Sequence, residues 1–324
     1  MSSTNVSNVF CMGQISGSRE SGQGHAPKRK IACNRRPNAL TCRPMYKPVA
    51  TKDPTAVEVE VQQAYLSLFP SGDRIFVPRV FGWAIECFTG NYADYQAVDA
   101  QYHDLEHTLQ GTLCMGRLLH ARQQAGAQPQ LTERFFQLGI VGILLHDTGY
   151  LKQRDDREGT GAKYTATHVL RSADFAARLL AEKGFPPAEI QAVQNMIRCT
   201  GVDADVSKIT FQGELERVTG HALATADLLG QMAAEDYVDK LPVLYAEFAE
   251  AARFDQEHTE FISKFGSVDD LVERTPGFWH DYVLPKLDRD FGGLHRFLNQ
   301  PYPHGPNWYV EQIEKNMARL KTMA

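Results

Sequence analysis

One apolar segment that ends in a His-Asp pair constrains the fold of this chain more than any other feature. Between Leu131 and His146 the sequence is almost continuously apolar, and it is too short to cross a membrane. Its length and composition predict a buried helix. Such a helix delivers His146 and Asp147 to the edge of the core, where the helix is already ending. The apolar positions are Phe135, Phe136, Leu138, Ile140, Val141, Ile143, Leu144 and Leu145.

From Pro54 onward, the rest of the sequence also predicts helices. No run of alternating β-branched residues and no internal repeat stands out, so the predicted fold class is all-α, with one domain over residues 54–324. Gly184 is a natural C-cap, and Pro186 and Pro187 suit the first turn of a following helix. The predicted helices are 56–69, 101–125, 131–146, 165–183, 187–199, 213–232, 235–265, 268–287 and 308–320, the last capped by Asn307.

The N-terminal segment differs from the rest in charge. Residues 1–50 contain eight Lys/Arg and one acid, a net charge of +7, whereas the remaining 274 residues carry 26 basic and 38 acidic side chains, or −12. The segment is rich in Ser, Asn, Gly and Arg and lacks hydrophobic periodicity, which predicts a disordered basic tail over residues 1–53. Three interpretations stay open: an interaction arm, a targeting peptide, or sequence upstream of an internal start at Met45.

Composition excludes several classes of function. The chain has a net charge of −5, which argues against bulk electrostatic binding of nucleic acid. It has no apolar stretch of 18 residues, so we expect no membrane span. Its six cysteines form no CxxC pair, which favours reduced thiols and a cytoplasmic protein. A phosphate loop of the GxxxxGK[ST] type is absent, which argues against an ATP-driven enzyme.

Four places in the sequence carry residues that can hold a metal ion. They are the helical pair His103 and His107, the pair His146-Asp147, His168 early in an amphipathic helix, and Asp227 inside an apolar helical stripe. Each has a simpler explanation, as surface histidines, a chance dipeptide or a buried hydrogen-bond acceptor. Burying a lone carboxylate costs several kcal/mol, however, and the order of these residues favours a metal site. Nitrogen and hard oxygen ligands without Cys suit one or two Mn, Fe, Mg or Zn ions.

This ordered pattern resembles the HD-domain metal-dependent phosphohydrolases. The resemblance covers roughly residues 100–235 and is strongest at 102–107, 144–149 and 224–227. It implies an HD-type helical bundle with a metal site at its centre. The ligands implied by the resemblance are His107, His146, Asp147 and Asp227.

The first motif, Tyr102-His103-Asp104-x-x-His107, is also similar to the Tyr-His-Asn-x-x-His segment of cyclic-nucleotide phosphodiesterases. That similarity implies that His103 is the general acid and His107 a metal ligand. The chain departs from those enzymes at Asp104, and also after the His-Asp pair, where Thr148 and Gly149 replace a further Asp-His. His168 falls where many HD proteins place another histidine, which implies a ligand for a second metal; the alternative is a surface histidine.

These observations together predict a metal-dependent phosphohydrolase that acts on a small phosphate ester or nucleotide, with a phosphodiester such as a cyclic nucleotide favoured. Metal-activated water attacks phosphorus and His103 protonates the leaving alkoxide. Lys152 and Arg154 are candidates to stabilise the phosphate, unless they belong to a solvated charged loop. Gln231, one turn after Asp227, is a candidate to bind either the substrate or a metal ligand. The alternatives are a nucleotidase or other phosphomonoesterase, a non-catalytic metal-binding regulatory module, and a di-iron oxygenase.

Overall fold

Helices joined by loops make up the described part of this computed structural model, which covers position 46 and residues 48–201, 204–255 and 265–323. Within these residues the only β-structure consists of three isolated bridges, so the all-α prediction is confirmed. The tail predicted over residues 1–53 falls largely outside the described residues. Across the described ranges, no helix is both long enough and apolar enough to span a bilayer.

Eleven α-helices are described and are numbered here in chain order. They are α1 Pro54–Leu68, α2 Phe76–Phe88, α3 Leu105–Gln124, α4 Glu133–Leu145, α5 His168–Glu182, α6 Pro187–Ile197, α7 Glu214–Met232, α8 Tyr237–Phe254, α9 Val268–Gly277, α10 Leu284–Arg289 and α11 Trp308–Met323. Short 3₁₀ turns lie at Thr148–Tyr150, Gly161–Tyr164, Val206–Lys208 and Leu294–Leu298. A π-helical turn, Phe278–Val283, joins α9 to α10.

Four segments differ from the sequence prediction. The helix predicted over 101–125 begins at Leu105 with Asp104 as its N-cap, so His103 precedes the helix and does not share a helical face with His107. Helix α2 was not predicted, because Pro78 and Gly82 interrupt its sequence; Pro78 lies in the first turn, where its missing N–H is tolerated. The helix predicted over 235–265 ends at Phe254, and residues 256–264 lie outside the described part of the chain. The helix predicted over 268–287 is divided by the π-helical turn.

Helices α3 and α7 lie against each other in the core, and α1, α4 and α6 pack around them. Their close approach depends on glycine, because a Cβ at Gly230 would lie 2.7 Å from the backbone nitrogen of Gly111. Helix α4, buried along almost its whole length as predicted, contacts both α3 and α7. The polar residues of these three helices therefore meet inside the core rather than at the surface.

Candidate metal centre

Two histidines and two aspartates meet where α3, α7 and the end of α4 converge. We call His107, His146, Asp147 and Asp227 the metal cluster. The Nε2 atom of His107 lies 3.1 Å from Oδ2 of Asp147 and 3.4 Å from Oδ1 of Asp227. The Nε2 atom of His146 lies 3.4 Å from each of the same two oxygens. All four side chains are buried, so residues that are 120 positions apart in sequence form one polar site inside the core.

Asp104 places His107 at the start of α3. The Asp104 side chain accepts a hydrogen bond from the backbone N–H of His107 at 2.8 Å and so forms the N-cap of the helix. Burial alone would lower the pKa of His107, but its contacts with Asp147 and Asp227 outweigh burial and raise the pKa to about 10.

The ring of His146 is held in one orientation by the helix that precedes it. Its Nδ1 lies 2.7 Å from the carbonyl oxygen of Ile143, and a carbonyl can only accept, so Nδ1 carries the proton. The Nε2 atom therefore faces the two aspartates, whose charges outweigh burial and raise the pKa of His146 above its usual value. A carbonyl that fixes the tautomer of a histidine in this way is typical of metal ligands.

Asp227 is supported by a short chain of hydrogen bonds. The amide of Gln231, one turn further along α7, donates to Oδ1 of Asp227 at 3.2 Å, and the Tyr102 hydroxyl donates to the amide oxygen of Gln231 at 3.1 Å. Burial would raise the pKa values of Asp147 and Asp227, but the neighbouring imidazoles of His146 and His107 hold both well below the usual range. Of the two roles predicted for Gln231, the structure places it on a candidate metal ligand.

Two buried polar atoms of the metal cluster lie near charged groups of the protein but make no hydrogen bond of good geometry within the described part of the chain. Among the described residues, neither Nε2 of His146 nor Oδ2 of Asp147 has a hydrogen-bond partner, although both are fully shielded from solvent. Unsatisfied buried polar atoms are costly and rare in folded proteins. Ligand atoms of His107, His146 and Asp227 lie within 4.8 Å of one another, so this group could hold a metal ion. The donor set suits a divalent cation, which would satisfy both orphaned atoms.

His168 lies on the other side of Asp147. Its Nε2 is 3.8 Å from Oδ1 of Asp147, and its Nδ1 donates to the carbonyl oxygen of Thr165 at 2.6 Å. A Cβ at Gly149 would lie only 2.1 Å from the backbone oxygen of His168, so glycine allows this approach. Burial lowers the pKa of His168, which favours the neutral, ligating form. Asp147 therefore presents one oxygen to the metal cluster and the other to His168.

His103 lies beside the cluster and is held by a residue that the sequence analysis missed. Its Nδ1 is 2.6 Å from Oε2 of Glu247 on α8, and its ring stacks on Tyr150 at 4.3 Å between centroids. The other oxygen of Glu247 accepts from the backbone N–H groups of Gln101 and Tyr102, both at 2.7 Å. Burial would raise the pKa of Glu247, but His103 and these N–H groups lower it. A glutamate in an amphipathic helix normally faces solvent, so the sequence offered no signal for this contact.

The structure does not bring Lys152 and Arg154 to the metal cluster. Lys152 is buried, with its Nζ 2.7 Å from Asp99 and 2.6 Å from the carbonyl oxygen of Gly159. Arg154 hydrogen-bonds to the carbonyl oxygens of Gly90 and Ala93 at 3.3 and 3.4 Å. These contacts tie the loop to the body of the protein: Arg154 is exposed, as the alternative of a solvated charged loop predicts, whereas Lys152 is buried.

A cavity of about 440 Å³ opens directly onto the site. His103, His107, Asp147, His168 and Asp227 all line it. Its remaining walls come from α5, α7, α8 and α9 and from segments next to them. The volume is in the range of cavities that hold small organic ligands. No protein-family model and no curated protein matches this chain.

Proposed function

We propose that this protein is a metal-dependent phosphohydrolase of the HD type, with a phosphodiester as the favoured substrate. The observation that carries the proposal is the orphaned pair His146 Nε2 and Asp147 Oδ2, which lie beside a histidine–glutamate pair at one end of a ligand-sized cavity. A metal centre next to a proton donor is what hydrolysis of a phosphate ester needs.

His107, His146, Asp147 and Asp227 would hold the first ion, with His168 and the second oxygen of Asp147 available to another. Mn, Fe, Mg and Zn all remain candidates for this nitrogen and oxygen donor set. A divalent cation supplies Lewis-acid stabilisation of the phosphoryl oxygens and a nucleophile made from water near neutral pH. Gln231 orients Asp227 and keeps one lone pair of its carboxylate engaged.

His103 would donate the proton that the leaving alkoxide requires. Glu247 accepts from Nδ1 of His103, which leaves Nε2 as the atom that carries and releases a proton. Tyr150 stacks on the ring and fixes its plane. Glu247 is therefore a positioning residue that acts through His103.

Product analysis on the full-length chain tests this proposal. The protein would be incubated with Mn²⁺ and a panel of phosphodiesters, including cyclic nucleotides, and phosphomonoesters, and the products separated by HPLC. We expect diester cleavage to fall at least about a thousandfold in Asp147→Ala and after chelation. Asp155→Ala, which removes an exposed carboxylate from the adjacent loop, is the matched control.

Three results would overturn the proposal or part of it. Hydrolysis that survives Asp147→Ala would place the activity elsewhere. Release of inorganic phosphate from monoesters alone would replace the diesterase by a phosphomonoesterase. Tight metal binding with no turnover of any ester would favour a non-catalytic metal-binding module.

A further inference from the structure

The cavity beside the metal cluster is apolar over most of its wall. Beyond the site residues, α7, α8 and α9 contribute Leu228, Met232, Leu241, Leu244, Phe248 and Leu271. On α8 the positions 241, 244 and 248 recur at helical spacing, so one whole face of this helix is turned to the cavity. An apolar wall of this extent beside a charged site favours a ligand that carries an apolar group.

Two threonine hydroxyls in this wall are already engaged within their own segments, whereas the Tyr150 hydroxyl has no hydrogen-bond partner among the described residues. Thr275 donates to the carbonyl oxygen of Leu271 at 2.7 Å, and Thr200 donates to that of Ile197 at 2.8 Å. The Gln231 amide is held between Tyr102 and Asp227. A nucleobase placed here would lose its hydrogen bonds to water and find few replacements, which is costly for a buried polar group.

Positive charge in the cavity wall is sparse. Among the described lining residues, Arg198 is the only Lys or Arg. It donates to the side chain of Asn195 at 3.3 Å and keeps further N–H groups for a ligand. One guanidinium suits a phosphodiester with a single negative charge and does not suit a polyphosphate chain.

From the cavity wall we infer that the substrate is a phosphodiester with an apolar alkyl or aryl substituent that occupies the cavity, and not a nucleotide. This inference rests on the proposed function for its phosphate chemistry, whereas the preference for an apolar group rests on the cavity wall alone. Burial of hydrocarbon strengthens binding about three- to fourfold per methylene when the group fits.

A homologous series of n-alkyl 4-nitrophenyl phosphodiesters, from methyl to hexyl, tests the inference on the full-length chain with Mn²⁺. The leaving group is the same throughout, so only the apolar substituent changes. We expect kcat/KM to rise about three- to fourfold per methylene until the cavity is filled. A flat or falling series, or a nucleotide cleaved fastest, would overturn the inference and leave the phosphohydrolase standing.

Leu244→Gln places an amide of similar size in the cavity wall. It should halve the logarithmic gain per methylene. Val243→Gln is the matched control, since Val243 is the preceding residue of α8, is also half-buried, and does not line the cavity. Equal effects of the two substitutions would contradict the assignment.

Calorimetric binding of methyl and hexyl esters of methylphosphonic acid separates this inference from the proposed function. These anions are not hydrolysed on the time scale of the titration. We expect the hexyl ester to bind at least about a hundredfold more tightly, with a more negative heat-capacity change. That result without hydrolysis of any ester would overturn the phosphohydrolase and retain the apolar ligand; equal affinities would overturn the apolar ligand.

Discussion

Two charged regions flank the turn Thr148–Tyr150, and they differ in how their polar atoms are satisfied. In the charged loop, defined as residues 152–164, Lys152 pairs with Asp99, and Asp156 accepts from both Lys163 and Tyr164 at 2.5 and 2.6 Å. In the metal cluster, which is more deeply buried, two polar atoms have no hydrogen bond to any described residue. Protein atoms complete the first region, whereas the second could hold a metal ion.

The difference matters because both regions look alike in the sequence. His146-Asp147 and the charged loop both follow the apolar stretch of α4 and both carry charged side chains, while His107 and Asp227 lie in distant segments. Burial together with unsatisfied atoms separates a binding site from a structural network. The predictions below change one region and use the other as its control.

The largest expected effect is on metal-dependent stability. In the wild-type chain, a divalent ion at about a thousand times its Kd should raise the free energy of unfolding by about 4 kcal/mol. Asp227→Asn removes one ligand charge and should abolish this gain, whereas Asp156→Asn in the charged loop should preserve it. Urea unfolding with and without Mn²⁺ measures both. A gain of equal size in the Asp227 variant would show that the ion binds elsewhere.

Next in size is the loss of the proposed general acid. His103→Gln should reduce kcat about 10²- to 10⁴-fold for an ester with an alkoxide leaving group. The reduction should be below about tenfold for a 4-nitrophenyl ester, whose leaving group needs no proton. Glu247→Gln should also slow the ester with the alkoxide leaving group more than the 4-nitrophenyl ester, but by a smaller factor. Glu247 acts by positioning His103.

Steady-state kinetics on the two esters, with metal content measured for each variant, checks this prediction. The stabilisation by Mn²⁺ should be unchanged in both variants, since neither residue belongs to the metal cluster. An equal loss on both esters would mean that His103 has another role.

The sequence predicted the all-α fold and where most of the helices lie, because buried helices such as α4 carry a strong apolar signal. It also identified the histidines and aspartates that the structure brings together, since their order along the chain was informative. It missed α2, where Pro78 and Gly82 obscure a helix, and Glu247, whose partner His103 lies 144 positions away. Contacts between distant segments leave no local pattern, and the same holds for the apolar wall of the cavity.

The role predicted for Lys152 shows that residues close together in sequence need not lie close together in space. Lys152 lies five residues after Asp147 in sequence, yet its Nζ is engaged by Asp99 and the Gly159 carbonyl. A lysine near a metal motif predicts phosphate binding only if the loop turns back toward the site. Here the 3₁₀ turn Thr148–Tyr150 leads the chain away from the cavity.

A moderate effect on stability, without any on metal binding, is expected for Lys152→Met. The variant loses the ion pair with Asp99 and the hydrogen bond to the Gly159 carbonyl. The Asp99 side chain is 37% exposed and can be solvated. We expect a loss of about 1–2 kcal/mol in the free energy of unfolding. Arg154→Met, whose hydrogen bonds are long and exposed, should cost less than about 0.5 kcal/mol and is the control.

Chemical denaturation measures the free energy of unfolding of the two variants, and metal titration measures their metal affinity. A tenfold fall in metal affinity for Lys152→Met would mean that the charged loop contributes to the metal cluster after all. The distinction between the charged loop and the metal cluster would then be wrong.

The smallest expected effect is the pH dependence contributed by Asp156. Burial would raise the pKa of this carboxyl, but hydrogen bonds from Lys163 and Tyr164 outweigh burial and lower it below the ordinary 3.8. A lowered pKa in the folded state means that the contribution is present above about pH 3.8 and is lost as the pH falls through the folded-state value. Because the site is close to the surface, Asp156→Asn should cost only about 0.2–1 kcal/mol at pH 7.

The difference in unfolding free energy between wild type and Asp156→Asn should therefore shrink toward zero on acidification, measured in urea from pH 7 to pH 3. Asp155→Asn, at the preceding position of the same loop, changes the net charge equally and is the matched control. A difference that stays constant down to pH 3 would show that the ionised carboxylate does not stabilise the loop. Because Lys163 and Tyr164 satisfy Asp156, this pH dependence should not require added metal. Independence from metal distinguishes the charged loop from the metal cluster.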